Sequence, residues 1–184
     1  MRYRFQIIFI VILAFSNCSI KKETIRTDVS FIDTSLSKLK DYLNFENSIN
    51  SEDKSYSHFV SISKDIFPYF NVRKLKHESK RFIREDKRKF IIEANYYYDK
   101  NDNVKLIFYE WNYNGSNENF KKEFDSITEF LNSKIGQYDY KKIEEYNPNE
   151  TNRDDIKWTK GNVKAYLFRF KNKFNQIRLA IYRK

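Results

Sequence analysis

Apolar residues recur with different periods along this chain, and the change of period marks the elements. Between residues 120 and 135, apolar side chains lie on one face at helical spacing, and Gly136 follows directly. This pattern predicts an amphipathic helix over 120–135, with Asn119 as N-cap and Gly136 in the left-handed position after the C-terminus. Leucines at helical spacing behind Asp33–Ser35 predict a shorter helix over 34–46.

The segment 56–67 supports two interpretations. Its apolar positions fit one helical face, whereas the stretch from His58 to Ser63 also alternates as a strand does. Pro68 ends the element in either case, because proline disfavours helical backbone before it and lacks an amide hydrogen.

Strand patterns dominate the second half of the chain. Residues 90–99 and 103–111 are rich in β-branched and aromatic residues, and the turn-forming Lys100-Asn101-Asp102 separates them, which predicts a β-hairpin. Further extended segments are expected over 71–84, 138–146, 156–158, 162–170 and 176–182.

The order of these elements determines the expected fold class. Helices and strands occur in separate groups, and no βαβ alternation or internal repeat is visible in the sequence. Such segregation is typical of α+β proteins. We therefore expect an antiparallel sheet of about five to six strands packed against two or three helices, in a single domain over residues 33–184.

The first residues have a different character. Arg2 and Arg4 precede an apolar run from Phe5 to Phe15, and Cys18 follows after Ser16 and Asn17. A basic start, a short apolar segment and a small-residue site define a secretory signal. The run is shorter than the roughly 20 residues that span a bilayer.

Cys18 is the only cysteine, and its position directly after the apolar run resembles the lipobox of bacterial lipoproteins. The resemblance covers residues 1–18, with Phe15 and Asn17 where Leu and Gly or Ala are usual. It implies a signal peptide over 1–17, a diacylglyceryl group on Cys18, a tether over 18–32 and an anchor in a bacterial envelope membrane. A cleaved signal with an incidental cysteine and an uncleaved anchor are the alternatives.

Charge restricts the class of partner. The net charge is +10 at pH 7, which attracts phosphate and carboxylate surfaces. For an exported chain, these are anionic lipids, acidic glycans or an acidic envelope protein, and no nucleic acid is expected.

Two segments are candidates for a binding surface. The first is basic, with nine cationic residues against three acidic ones: Arg73, Lys74, Lys76, Lys80, Arg81, Arg84, Lys87, Arg88 and Lys89. It is either a docking surface for anions or a solvated edge strand whose lysines oppose edge-to-edge pairing.

The second segment is the aromatic hairpin, with Tyr97, Tyr109 and Trp111 as candidate contact residues. Because side chains alternate along strands, some of its rings are expected on the outer sheet surface, where they could bind a sugar or a protein. The alternative is a core on one face and cross-strand aromatic pairs on the other.

Signals for catalysis are few. The sequence lacks phosphate-binding glycine loops and the motifs of zinc proteases and serine hydrolases. His58 and His77 could contribute to a zinc site only with acidic partners, and the neighbouring carboxylates Asp154 and Asp155 are more typical of solvated positions. The sequence predicts no cofactor, no metal and no catalytic residue.

Three functions fit these observations. The first is a non-enzymatic envelope lipoprotein that binds a protein or surface polymer. The second is an immunity or inhibitor lipoprotein that neutralises a secreted toxin. The third is a hydrolase of envelope polymers, which would require His58 or His77 in a cleft with carboxylates.

Overall fold

The computed structural model describes residues 38–55, 75–85, 90–113, 117–145, 147, 152–171 and 176–183. Side chains at 75–78, 85 and 117 are outside this description. The described elements are two helices and eight strands: α1 Leu39–Ser48, β1 Glu52–Asp53, β2 Leu75–Glu85, β3 Phe90–Asp99, β4 Val104–Tyr113, α2 Asn117–Ile135, β5 Tyr140–Lys142, β6 Arg153–Lys160, β7 Val163–Phe170 and β8 Gln176–Arg183.

All described strands belong to one antiparallel sheet in the order β1-β2-β3-β4-β8-β7-β6-β5. Two four-stranded meanders therefore meet where β4 pairs with β8. The very short strands β1 and β5 form the two edges. The antiparallel α+β prediction is confirmed in this coarse form, but the expectation of five to six strands is too low. Strand β1 is the described strand without a predicted counterpart, because its two residues contain too few side chains to alternate.

The topology contains a repetition that the sequence does not show. Among the described elements, a helix followed by four strands occurs twice: α1 with β1–β4, and α2 with β5–β8. We call these the first and second units. The two units meet at the antiparallel β4–β8 pair, and their strands follow in mirrored order on either side of it. Strand β1 at one edge therefore corresponds to β5 at the other. The repetition is one of connectivity, which is compatible with the absence of a repeat in the sequence.

Alternation along the strands gives the sheet two faces. The helix face carries Ile92, Trp111, Leu167 and Ile177, which form the main core with apolar residues of α1 and α2. Many large side chains on this face are fully buried, so the hydrophobic effect provides most of its stabilisation. The opposite face, called the ring face, carries a separate cluster whose described members all belong to strands: Tyr97, Leu106, Tyr166, Phe168, Ala180 and Tyr182, with Phe108 and Phe170 packed against it.

Local sequence explains the turns. Gly136 has a φ of +108° directly after α2, where the backbone favours glycine, and its amide donates to the carbonyl of Asn132, so the predicted helix end is confirmed. Gly161 has a φ of +58° between β6 and β7. In the β3–β4 turn, the Asp99 carboxylate accepts hydrogen bonds from the amides of Asn101 and Asn103.

Several predicted boundaries are wrong. Helix α2 begins at Asn117, so Asn119 is inside the helix, where its Nδ2 donates to the Tyr113 hydroxyl 3.1 Å away. Strand β6 begins at Arg153, three residues before the predicted start, because Asp154 and Asp155 are polar strand residues that a periodicity search reads as loop. Within the described residues the first helix covers 39–48. The segment 56–67 lies outside the described residues.

Candidate binding surface

The ring face contains a cross-strand row that runs from the sheet centre to one edge. Successive strand pairings place Phe108, Ala180, Tyr166, Lys157 and Tyr140 side by side from β4 to β5. Tyr166 is buried, whereas Lys157 is exposed and Tyr140 is 45% exposed. The row therefore connects a buried aromatic cluster to a solvent-accessible edge.

Cations lie over the aromatic rings of this face. Lys157 Nζ is 4.8 Å from the ring centroid of Tyr166 and 5.3 Å from that of Tyr140. The Arg153 guanidinium is 5.4 Å from the Phe168 ring, and that of Arg178 is 5.7 Å from the Phe170 ring. These distances are within the range of cation–π attraction, and the long side chains cover apolar surface while their charged ends remain near water.

Carboxylates on the ring face are each engaged by a cation. Glu93 accepts two hydrogen bonds from Arg81, at 2.9 and 2.7 Å. Glu110 accepts one from Arg178 at 2.7 Å. Asp155 accepts hydrogen bonds from the Tyr166 hydroxyl and from Arg153. These pairs hold the surface side chains in fixed positions.

Tyr97 shows how dry the centre of this face is. Its side chain is 5% exposed. Burial raises the pKa of its phenol to about 12, because the charged phenolate would lose its hydration, and this outweighs the hydrogen bond with Ser79 and the nearby charge of Arg81, which lower the pKa. The centre of the ring face is therefore a packed cluster, and its accessible part lies toward β5.

We define the β5 edge as Tyr140, Lys141, Lys142 and Ile143 together with Lys157 of β6. All three β5 residues are exposed, and Ile143 is 52% exposed. Tyr140 and Ile143 are two of only three large apolar residues that are exposed in the described part of the chain. No described strand pairs with the outer side of β5.

The lysines of the β5 edge point to both faces of the sheet. Lys142 lies opposite Asp155 on the ring face, while Lys141 lies opposite Ile156 on the helix face. Lys141 Nζ is 5.4 Å from the Tyr138 ring. Lys142 is 2.6 Å from Glu144. This lysine and the amide of Arg153 hold the pKa of Glu144 below its ordinary value by hydrogen bonding.

The described part of each unit contains a buried ion cluster on the helix face. In the first, Glu46 of α1 is fully buried and accepts hydrogen bonds from Arg84, the Tyr96 hydroxyl and Ser51. The Arg84 guanidinium also lies 5.4 Å from the Tyr109 ring.

In the second unit, Asp154 is fully buried. Its Oδ2 is 2.7 Å from Arg169, and its Oδ1 is 2.6 Å from Lys171. Asp154 and Asp155 are sequence neighbours, yet they point to opposite faces of the sheet and belong to different hydrogen-bond groups. They are therefore not the paired carboxylates of a single site.

The candidate residues of the basic segment separate into three groups. Lys80 and Arg81 are partly exposed, and Arg81 is paired with Glu93. Arg84 is 6% exposed and bound to Glu46 beneath α1, so its proposed role in a docking surface is wrong. The remaining members lie outside the described residues or side chains: Arg73, Lys74, Lys76, Lys87, Arg88 and Lys89.

The aromatic candidates are buried. Trp111 and Tyr109 are 0% and 1% exposed on the helix face, and Tyr97 is buried on the ring face. Their proposed role as an accessible surface is therefore wrong, because the hairpin is central in the sheet and helices pack over one of its faces. His58 and the side chain of His77 lie outside what the structure describes.

The sequence search missed Tyr140, Ile143 and Lys157. Tyr140 and Ile143 were in a predicted strand, but nothing in a single sequence indicated that this strand would be a three-residue edge. The available signal was the closeness of aromatic residues and lysines, with Tyr138 and Tyr140 before Lys141-Lys142 and Lys157 beside Trp158. It gains meaning only when pairing of β5 with β6 places Lys157 beside Tyr140.

Within the described ranges, no helix combines the length and apolar character that a bilayer crossing requires. The described residues also contain no group of three or more His, Cys, Asp or Glu side chains arranged to hold a metal ion. Comparison of the chain with protein-family models, curated proteins and solved structures gives no match.

Proposed function

We propose that this chain is a lipoprotein of the bacterial cell envelope, anchored through Cys18, whose domain is a non-enzymatic module that binds another envelope component. The observation that carries the binding role is the β5 edge, where exposed apolar side chains and lysines occur together. Exposed apolar surface bordered by charge is typical of interaction sites.

The arrangement of the acidic side chains supports a binding role. Glu46, Asp154 and Asp155 are buried and held by cations or hydroxyl donors. A general acid or base must reach a substrate and exchange protons with it. These three carboxylates instead hold helices and strands together.

The anchor is tested with Cys18→Ala in the full-length chain. Wild-type protein should fractionate with membranes and incorporate a radiolabelled fatty acid, because a lipidated N-terminus partitions into the bilayer. The variant should lose the label and accumulate as an uncleaved precursor. A variant with unchanged processing and no loss of label would contradict the proposal.

The binding role is tested by placing a photoreactive amino acid, one position at a time, at the exposed positions 100, 118, 140 and 160 of the full-length chain in intact cells. A binding module should give a discrete cross-linked adduct at one or two of these positions and none at the others. Absence of a discrete adduct at all four would contradict a binding function.

A further inference from the structure

We infer that the β5 edge receives an extended, acidic segment of a partner protein, which adds to the sheet as a strand beside β5. This inference rests on the proposed binding function and names the chemistry of its partner. Addition of a peptide to an open sheet edge supplies main-chain hydrogen bonds, and alternate side chains supply specificity.

Within the described residues, the outer side of β5 is open for backbone pairing. Strand β5 is terminal in the sheet, and the described chain places no other strand beside its outer side. Its register with β6 is regular over Tyr140, Lys141 and Lys142, so the strand is already extended. A partner would therefore meet an ordered template.

The side chains at this edge favour an acidic partner. Lys142 on the ring face and Lys141 on the helix face would flank an added strand on both sides. Lys157 stands over the Tyr140 ring, and no carboxylate among the described residues forms an ion pair with it. Lys142 already pairs with Glu144 at 2.6 Å. Carboxylates on the added segment would form charge-assisted hydrogen bonds with Lys157 and Lys141 and would share Lys142 with Glu144.

Lysines on an edge strand can also serve only to prevent aggregation. That function explains Lys141 and Lys142 but leaves the exposure of Tyr140 and Ile143 without a reason, because exposed apolar side chains promote the pairing that edge charges oppose. The opposite edge provides the comparison: β1 consists of Glu52 and Asp53 and is exposed and charged, with no large apolar residue exposed on it. Protection alone thus suffices for β1, whereas β5 combines charge with apolar contact surface.

The probe for the test is a fluorescein-labelled peptide of four Glu-Val repeats, titrated with the full-length chain in neutral detergent. Fluorescence anisotropy should report saturable binding. The same peptide with N-methylated valines, which removes backbone donors, should bind at least tenfold more weakly, as should a peptide of four Lys-Val repeats.

Two double variants separate the edge from general attraction to a basic protein. Lys142→Glu with Lys157→Glu should weaken binding at least tenfold. Lys121→Glu with Lys100→Glu makes the same change of charge at exposed positions on α2 and in the β3–β4 turn, and should change affinity less than twofold. Circular dichroism and thermal unfolding verify that both variants remain folded.

Three results would overturn the inference. The first is no saturable binding of the Glu-Val peptide. The second is equal affinity for the N-methylated peptide, which would exclude strand addition. The third is binding to phosphatidylglycerol vesicles that the edge variant abolishes while peptide binding persists, which would assign the edge to lipid.

The cellular cross-linking separates this inference from the broader proposal. Adducts at position 100, 118 or 160 without one at 140 would leave the binding function standing and remove the β5 edge as its site. No adduct at any position would count against the binding function itself.

Discussion

The two units of this molecule have the same order of elements but use their equivalent parts differently. Each has a helix over the sheet, a buried ion cluster and a short edge strand. The first unit ends in an acidic edge without large exposed apolar residues, and the second in a basic edge with exposed Tyr140 and Ile143. The comparison shows that one architecture occurs twice, while among the described residues only one of the two edges combines exposed apolar side chains with lysines.

The ion clusters beneath the helices provide the first test of this comparison. Glu46→Ala should lower the free energy of unfolding by about 3–5 kcal/mol, because it removes the buried carboxylate that pairs with the buried Arg84 guanidinium. Urea unfolding followed by circular dichroism measures the change. Glu46→Leu combined with Arg84→Met should recover most of the stability, because apolar residues of similar size need no charge partner. A loss below about 1 kcal/mol for Glu46→Ala would show that Arg84 reaches water easily.

The equivalent substitution in the second unit should lower the free energy of unfolding by a smaller amount. Asp154→Ala removes the partner of Arg169 and Lys171, which are 10% and 16% exposed at their side chains. Because Lys171 has further contact with solvent and can turn its ammonium outward, we expect a loss of about 2–3 kcal/mol by urea unfolding. A loss greater than that of Glu46→Ala would reverse the comparison.

A pH titration tests the dry centre of the ring face. Burial raises the pKa of folded Tyr97 from 10.0 to about 12, so the folded state holds the phenolic proton more tightly than the unfolded state does. The stabilisation is therefore complete below about pH 10 and decreases as the pH rises toward 12, by about 2–3 kcal/mol in total. Tyr97→Phe should flatten this part of the stability profile measured by urea unfolding. An unchanged slope in the variant would mean that Tyr97 is solvated.

Removing the hydrogen bond between Tyr166 and Asp155 tests how strongly buried polar contacts stabilise the ring face of the second unit. Tyr166→Phe should lower the free energy of unfolding by about 1–3 kcal/mol, because the buried Asp155 carboxylate loses a donor. Tyr140→Phe is the matched control, since Tyr140 is 45% exposed whereas Tyr166 is buried. Equal losses in the two variants would show that Asp155 has replaced its lost donor by water.

The edges should show the smallest effects on stability. Tyr140→Ser and Ile143→Ser should each change the free energy of unfolding by less than about 1 kcal/mol, as should Glu52→Ser at the other edge, because these residues are exposed at the ends of the sheet. If the first two variants also weaken binding of the Glu-Val peptide while Glu52→Ser does not, the edges differ in function but not in stability. A loss above 1 kcal/mol for Tyr140→Ser would assign it a structural role.

The sequence determined the elements whose physical signals are local. Helical spacing over 120–135 with Gly136 at its end, and β-forming runs on both sides of Lys100-Asn101-Asp102, are each encoded within about twenty residues. The antiparallel α+β class followed from their order. The predicted export signal and lipidation site are also encoded locally, in Cys18 and the apolar run before it, although these residues lie outside the described part of the chain.

Only the tertiary structure decided which of these residues face water. Arg84 and Trp111 lie in segments whose composition suggested a binding surface, yet both are buried beneath the helices. Tyr140 is exposed because its three-residue strand lies at the end of the sheet. The physical reason is that burial depends on which strand lies beside which, and pairings such as β4 with β8 join residues about seventy positions apart. No local period contains that information, so the candidate site exists only in the folded arrangement of the strands.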